Sequence, residues 1–133
     1  MKIYIEKTYI MISIIAIVAL IIVVAKFITK RFSKKGSFFF KTIDTKFMKI
    51  HKPLAKILIV SGTIHGILTF SNFTQFGIRP YIMGTICLLS CIASMASFYM
   101  KKRLKSIKKW VLYHRFFAVM SIVAFISHIA FSR

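Results

Sequence analysis

The sequence predicts an all-α integral membrane fold, an up-and-down bundle of four helices. Three observations predict it. Of the 133 residues, 58% are hydrophobic. The apolar residues gather into four runs, each near the ~20 residues that a helix needs to cross ~30 Å of hydrocarbon. The 21 Lys and Arg lie mainly between those runs and are opposed by two acids, Glu6 and Asp44. A soluble protein this apolar would lack polar surface to cover itself, whereas a bilayer removes that requirement. A net charge of +19 would otherwise suggest nucleic acid. No soluble segment exists to present a groove-reading element, so anionic lipid headgroups are the expected partner.

The spans fall at about 9–28, 53–73, 81–100 and 110–131, within the ~2–4 residues by which such boundaries are uncertain. The first follows Lys2 and Lys7 as a signal peptide would. Its apolar run is long for such a segment, lacks a small-residue cleavage site and meets Lys26, Lys30, Arg31, Lys34 and Lys35 at once, so it reads as a retained helix. Pro53 suits the first turn of the second helix, which places His51 at or just before that helix's start. The stretch from Lys34 to Lys49, with Gly36 and Phe38, Phe39 and Phe40, reads as a loop or a short interfacial helix. Trp110 and Tyr113 sit where an interfacial aromatic belt begins.

Charge sets the expected orientation. The first connection and its flanks carry Lys26, Lys30, Arg31, Lys34, Lys35, Lys41, Lys46, Lys49, Lys52 and Lys56, and the third carries Lys101, Lys102, Arg103, Lys105, Lys108 and Lys109. The second connection has only Arg79, and the C-terminus only Arg133. Both basic loops are therefore expected in the cytoplasm and both termini outside, as in a bacterial cytoplasmic membrane. The N-terminal Lys2 and Lys7 oppose this weakly.

The four histidines form two pairs of identical spacing, His51 with His65 on the second span and His114 with His128 on the fourth. Fourteen residues advance ~21 Å and return to within ~40° of the same helix face. In this topology the two helices run parallel, so His51 meets His114 near the cytoplasmic surface and His65 meets His128 nearer the outer one. Each pair suits an iron held by two imidazoles, which predicts two stacked haem b groups clamped between helices 2 and 4. Ionisable groups inside hydrocarbon are costly and tend to mark function. The plainer reading of any one of them is a hydrogen-bonded packing or interfacial histidine.

Neighbouring residues suit the same reading. Gly62 and Gly66 bracket His65, and small residues let a flat macrocycle approach the backbone, as they also serve ordinary helix packing. Lys49, Lys52 and Arg115 flank the inner pair, where propionates would need cations, and Arg79 is placed to do so for the outer haem. Snorkelling to lipid headgroups explains the same cations.

The stretch HKPLAKILIVSGTIHG (51–66) and the stretch WVLYHRFFAVMSIVAFISHIAF (110–131) resemble the two haem-bearing helices of the ferric reductase-like transmembrane domain shared by NADPH oxidases and metalloreductases. The likeness covers about a third of the chain and lies in the doubled His-x13-His spacing and the His-Lys and Trp-x-x-x-His contexts. It implies that His51, His65, His114 and His128 are the axial ligands. That family usually has six helices and often a fused flavin and nicotinamide domain, whereas this chain has four spans.

Bis-imidazole ligation leaves no open position on iron, so the expected activity is electron transfer. The chain reads as an oxidoreductase component of ferric reductase or superoxide-producing type. A cytoplasmic flavoprotein reductase or membrane quinol would be the donor, and external oxygen or a ferric chelate the acceptor. Homo-oligomerisation is compatible with the sequence. Two other classes stay open: a membrane anchor subunit of a larger redox complex, with or without haem, and a copper or metal transporter using Cys87, Cys91 and Met95. Proton-coupled drug export is disfavoured, because none of the four spans contains Asp or Glu.

Overall fold

A computed structural model describes residues 2–33, 38–70, 77–103 and 107–132. Every element among them is helical: α1 (Lys2–Ser33), α2 (Phe38–Phe70), α3 (Ile78–Tyr99), a short 3₁₀ turn (Met100–Lys102) and α4 (Ile107–Phe131). Each of the four α-helices contains a stretch long and apolar enough to cross a membrane. The chain is therefore an all-α protein of membrane-spanning character. In hydrocarbon a backbone must satisfy its own polar groups, and a helix does so within one segment. Hydroxyls in the spans follow the same rule. Thr69 bonds the carbonyl of His65 at 2.9 Å, Thr85 that of Tyr81 at 2.9 Å and Ser121 that of Ala118 at 2.8 Å.

One expectation is corrected. Pro53 does not open the second helix but lies inside it, and α2 begins at Phe38. His51 is thus a mid-helix residue, and Phe38 to Lys49 form the helix's first turns; residues 34–37 lie outside the described set. Proline removes one N–H and crowds the carbonyl four residues back, which kinks or breaks many helices. Here Pro53 is exposed, and a single lost hydrogen bond interrupts a helix of 33 residues. The other boundaries lie within three residues of expectation except those of α1, which begins seven residues earlier and ends five later.

The chain divides into two compact units, Met1–Gly62 and Thr63–Arg133. In the first, Lys26 of α1 pairs with Asp44 of α2 at 3.3 Å, and Phe32 stacks on Phe40 with ring centres 5.3 Å apart. Lys26 is only 8% exposed, so Asp44, one of the chain's two acids, neutralises a largely desolvated ammonium.

In the second unit α3 and α4 form an antiparallel pair with a seam of small residues. Ser90, Ser97, Ser121 and Ala124 are all buried there. Without a hydrophobic force between helices in lipid, close backbone approach through such residues supplies the association. The opposite face of α4 presents Leu112, Phe116, Val119, Val123 and Ile126, each at least 49% exposed, as a lipid-facing surface should.

Replacing Asp44 by Ala strands the Lys26 charge. The expected loss is about 2 kcal/mol of unfolding free energy, below the 3–5 of a fully buried pair. Denaturant unfolding in detergent followed by circular dichroism measures it. The double variant Lys26→Met with Asp44→Leu should recover most of the loss, and an equal loss in both would mean that the pair is incidental.

Candidate functional site

The second unit brings three helices together at one histidine pair. Residues 63–70 of α2 supply His65, and α4 supplies His128; their ring centres lie 6.2 Å apart with planes 83° from parallel. Tyr81 of α3 bridges the two neighbours of this site. Its ring packs 5.6 Å from that of Phe70, and its hydroxyl donates to the Gly66 carbonyl at 3.5 Å.

His128 is held from the far side by α3. Its Nδ1 lies 2.7 Å from the Pro80 carbonyl oxygen, at the short end of the range for N–H···O. A carbonyl only accepts, so Nδ1 must carry the proton, and in the neutral ring the lone pair then lies on Nε2. Gly84 makes room for this. A Cβ there would stand 3.1 Å from His128 Nδ1 and 3.2 Å from Cε1.

His114 repeats the arrangement further along the same helix pair. Its Nδ1 is 2.9 Å from the Ser94 carbonyl oxygen, 3.1 Å from Ser94 Oγ and 3.5 Å from Ser97 Oγ. Between the two lies a third cross-link, the Cys87 thiol donating to the Ser121 carbonyl at 3.4 Å. The pairs are thus His128 with Pro80, Ser121 with Cys87 and His114 with Ser94, stepping seven residues on each helix in opposite directions. Seven residues is close to two helical turns, so all six groups share one seam.

Sequence reasoning missed the part played by α3. Its signal was present: Pro80, Cys87 and Ser94 repeat at the interval that relates His114, Ser121 and His128, and Gly84, Ser90 and Ser97 fill the same face. Cys87, considered above as a soft-metal ligand, serves this seam.

The other expected residues fall as follows. His51 is half-buried in the first unit, with Lys49 and Lys52 exposed on the same helix and Gly62 at that unit's end. His114 is half-buried in the second unit beside exposed Arg115. The structure therefore brings His65 and His128 together, while the match of His51 with His114 stays one of sequence register. Arg79 is exposed at the start of α3. It lines an open groove of about 410 Å³ with Gly77, Ile78, Pro80, Ala130 and Phe131, so it adjoins the His128 station through Pro80. Trp110 packs edge-on against Phe98 at 5.9 Å, under the Lys101 ammonium, and 6.2 Å from the His114 ring.

Haem fits this donor set. Two imidazoles binding one metal at about 2.0–2.1 Å have ring centres roughly 6 Å apart, the separation found for His65 and His128. On His128 the Nε2 lone pair stays available because Nδ1 is committed to the Pro80 carbonyl, the usual second-shell arrangement of ligating histidines. A Cβ added at Gly66 would meet no heavy atom within 4 Å, so the backbone beside His65 is open to a flat ligand. No group of three His, Cys, Asp or Glu side chains converges among the described residues.

No protein-family model, curated protein or solved structure matches the chain.

Gly66→Ala and Gly84→Ala should diverge in haem-free protein. The first gains about 0.5–1 kcal/mol of helix stability because the space is open. The second loses about 1–2 kcal/mol because the His128 ring cannot retreat without lengthening its bond to Pro80. Thermal unfolding of the two variants in one detergent decides it, and equal behaviour would contradict the described packing.

Proposed function

We propose that this protein is a bis-histidine dihaem cytochrome b that carries electrons across a membrane. The observation that carries the reading is the His65–His128 pair, at the separation of two axial ligands, with the His128 tautomer fixed by α3. One haem b would lie between His65 and His128. His51 on α2 and His114 on α4 precede His65 and His128 by the same fourteen residues, which is the sequence's case for a second haem.

Bound haem supplies one-electron exchange, and the chain supplies the rest. Two imidazoles, His65 and His128, would hold the group and would direct it to electron transfer rather than oxygen binding. Gly66, and Gly62 one turn before it, leave the α2 backbone approachable. Lys52, Arg115 and Arg79 are exposed cations of the kind that would neutralise propionates. The apolar faces exclude water and so limit proton leakage.

By the positive-inside rule the first and third connections would face the cytoplasm and both termini the exterior. In a membrane with a negative interior, outward transfer of an electron is favoured by about 2.3 kcal/mol per 100 mV. The donor is a cytoplasmic flavoprotein reductase or a membrane quinol, and the acceptor is external oxygen or a ferric chelate. The basic loops suit an acidic donor surface as well as anionic lipid.

The test is the dithionite-reduced minus oxidised spectrum of detergent-purified protein, with a pyridine haemochrome assay against protein concentration. Two b haems per chain are expected, falling to about one in His65→Ala and in His128→Ala. A folded preparation from haem-replete cells that contains no haem would overturn the reading.

A further inference from the structure

In the first unit the Lys26–Asp44 pair and the Phe32–Phe40 stack advance along α1 as they retreat along α2, so the two helices run antiparallel there. Counting away from the ion pair at about 1.5 Å per residue gives the levels that match. Five residues bring Lys49 level with Ile21, eight bring Lys52 level with Val18, and twelve bring Lys56 level with Ile14. All six side chains are exposed. Ile10 to Ala25 of α1 contains no charged residue and belongs to a stretch suited to hydrocarbon. α2 thus presents cations at the depths where α1 presents lipid-facing aliphatics.

Lipid headgroups cannot serve all of these lysines. With Lys26 set at the very edge of the hydrocarbon, Lys49 lies about 7.5 Å inside it and Lys56 about 18 Å inside it. A lysine stem reaches roughly 6 Å, which brings the Lys49 ammonium near the headgroups and leaves that of Lys56 well short. Nor does the chain hold the counter-charge. Asp44 is committed to Lys26, and residues 63–133 contain no Asp or Glu. Glu6 lies eight residues past the level of Lys56 on α1, about 12 Å further along the axis. A second copy of the chain brings the same 21 cations and the same two acids. Cations within membrane spans pair with acids or line water.

We propose that the Lys49–Lys56 face of α2 docks a membrane-embedded helix of another protein, one that carries two carboxylates. Lys49 and Lys56 are seven residues apart, close to two turns, so they share a face and stand about 10.5 Å apart along it. The partner's carboxylates are therefore also two turns apart. Val60, one turn beyond Lys56 on the same face, is exposed and supplies apolar contact. The surface lies wholly in the first unit and needs no haem.

The test uses the full chain in phosphatidylcholine vesicles and, as probe, a Leu-Ala transmembrane peptide with two Glu seven residues apart. Energy transfer between labelled protein and peptide should show association about tenfold tighter than with a Gln-substituted peptide. Lys49→Gln with Lys56→Gln should abolish the difference. Lys49→Glu with Lys56→Glu should pass the preference to a peptide bearing Lys at the two positions. Equal binding of the Glu and Gln peptides would overturn the proposal, and stabilisation of the face by phosphatidylglycerol alone would then assign it to lipid. Depth is measured separately by spin labels on Ile14→Cys and Lys56→Cys variants carrying Cys87→Ala and Cys91→Ala. Both labels should report one depth within about a helical turn, shielded from water-soluble relaxants. A label at position 56 that such a relaxant reaches would mean a headgroup or water-lined location and would overturn the docking of a helix there.

Discussion

The second unit depends on one constraint: polar side chains placed in hydrocarbon must find their partners in the protein. An unsatisfied group there costs several kcal/mol, whereas an interhelical hydrogen bond in a membrane returns on average about 0.6 kcal/mol. Three cross-links between α3 and α4 therefore contribute little directly, and their weight lies in the cost of losing them. A shift of α4 by one residue would turn His114, Ser121 and His128 away from Ser94, Cys87 and Pro80 together. The bonds thus fix the register of the pair, and the small residues between them allow the approach that makes the bonds short.

The first unit meets the same constraint differently. Lys26 is an ammonium within an apolar helix, and Asp44 reaches it from α2. One acid in the right place serves Lys26, while the other cations among the described side chains are exposed. The strongly basic composition and this single internal pair are two sides of one arrangement, since lysines without a buried partner must reach water or headgroups.

Much of this was legible in the sequence, because apolar length and charge placement act over twenty residues and tolerate local error. The spans on α3 and α4 could be read for that reason, as could the pairing of His65 with His128, which needs only helical periodicity and a parallel order of α2 and α4. Two things were hidden. Pro53 suggested a helix start because proline favours the first turn, but the residues before it continue the helix, and an exposed position tolerates the missing N–H. The role of α3 was hidden because its acceptors are backbone carbonyls. Side-chain identity reports a carbonyl only indirectly, through the glycine and serines that let a ring reach it.

Hydrogen bonds from imidazole to carbonyl could serve packing alone, so the choice of residue has to be weighed. For fixing the register of α3 and α4, a serine, or a cysteine as at position 87, suffices, with less bulk and less risk of a charge in lipid. Imidazole adds a second nitrogen on the opposite edge of the ring, and committing Nδ1 to α3 keeps that nitrogen's lone pair available. At His128 the neighbouring ring is another imidazole, His65, on a helix whose next residue is a glycine with open space beside it. Histidine held on one edge by α3, with a second histidine ring 6.2 Å away, is the arrangement from which the proposed axial pair is argued.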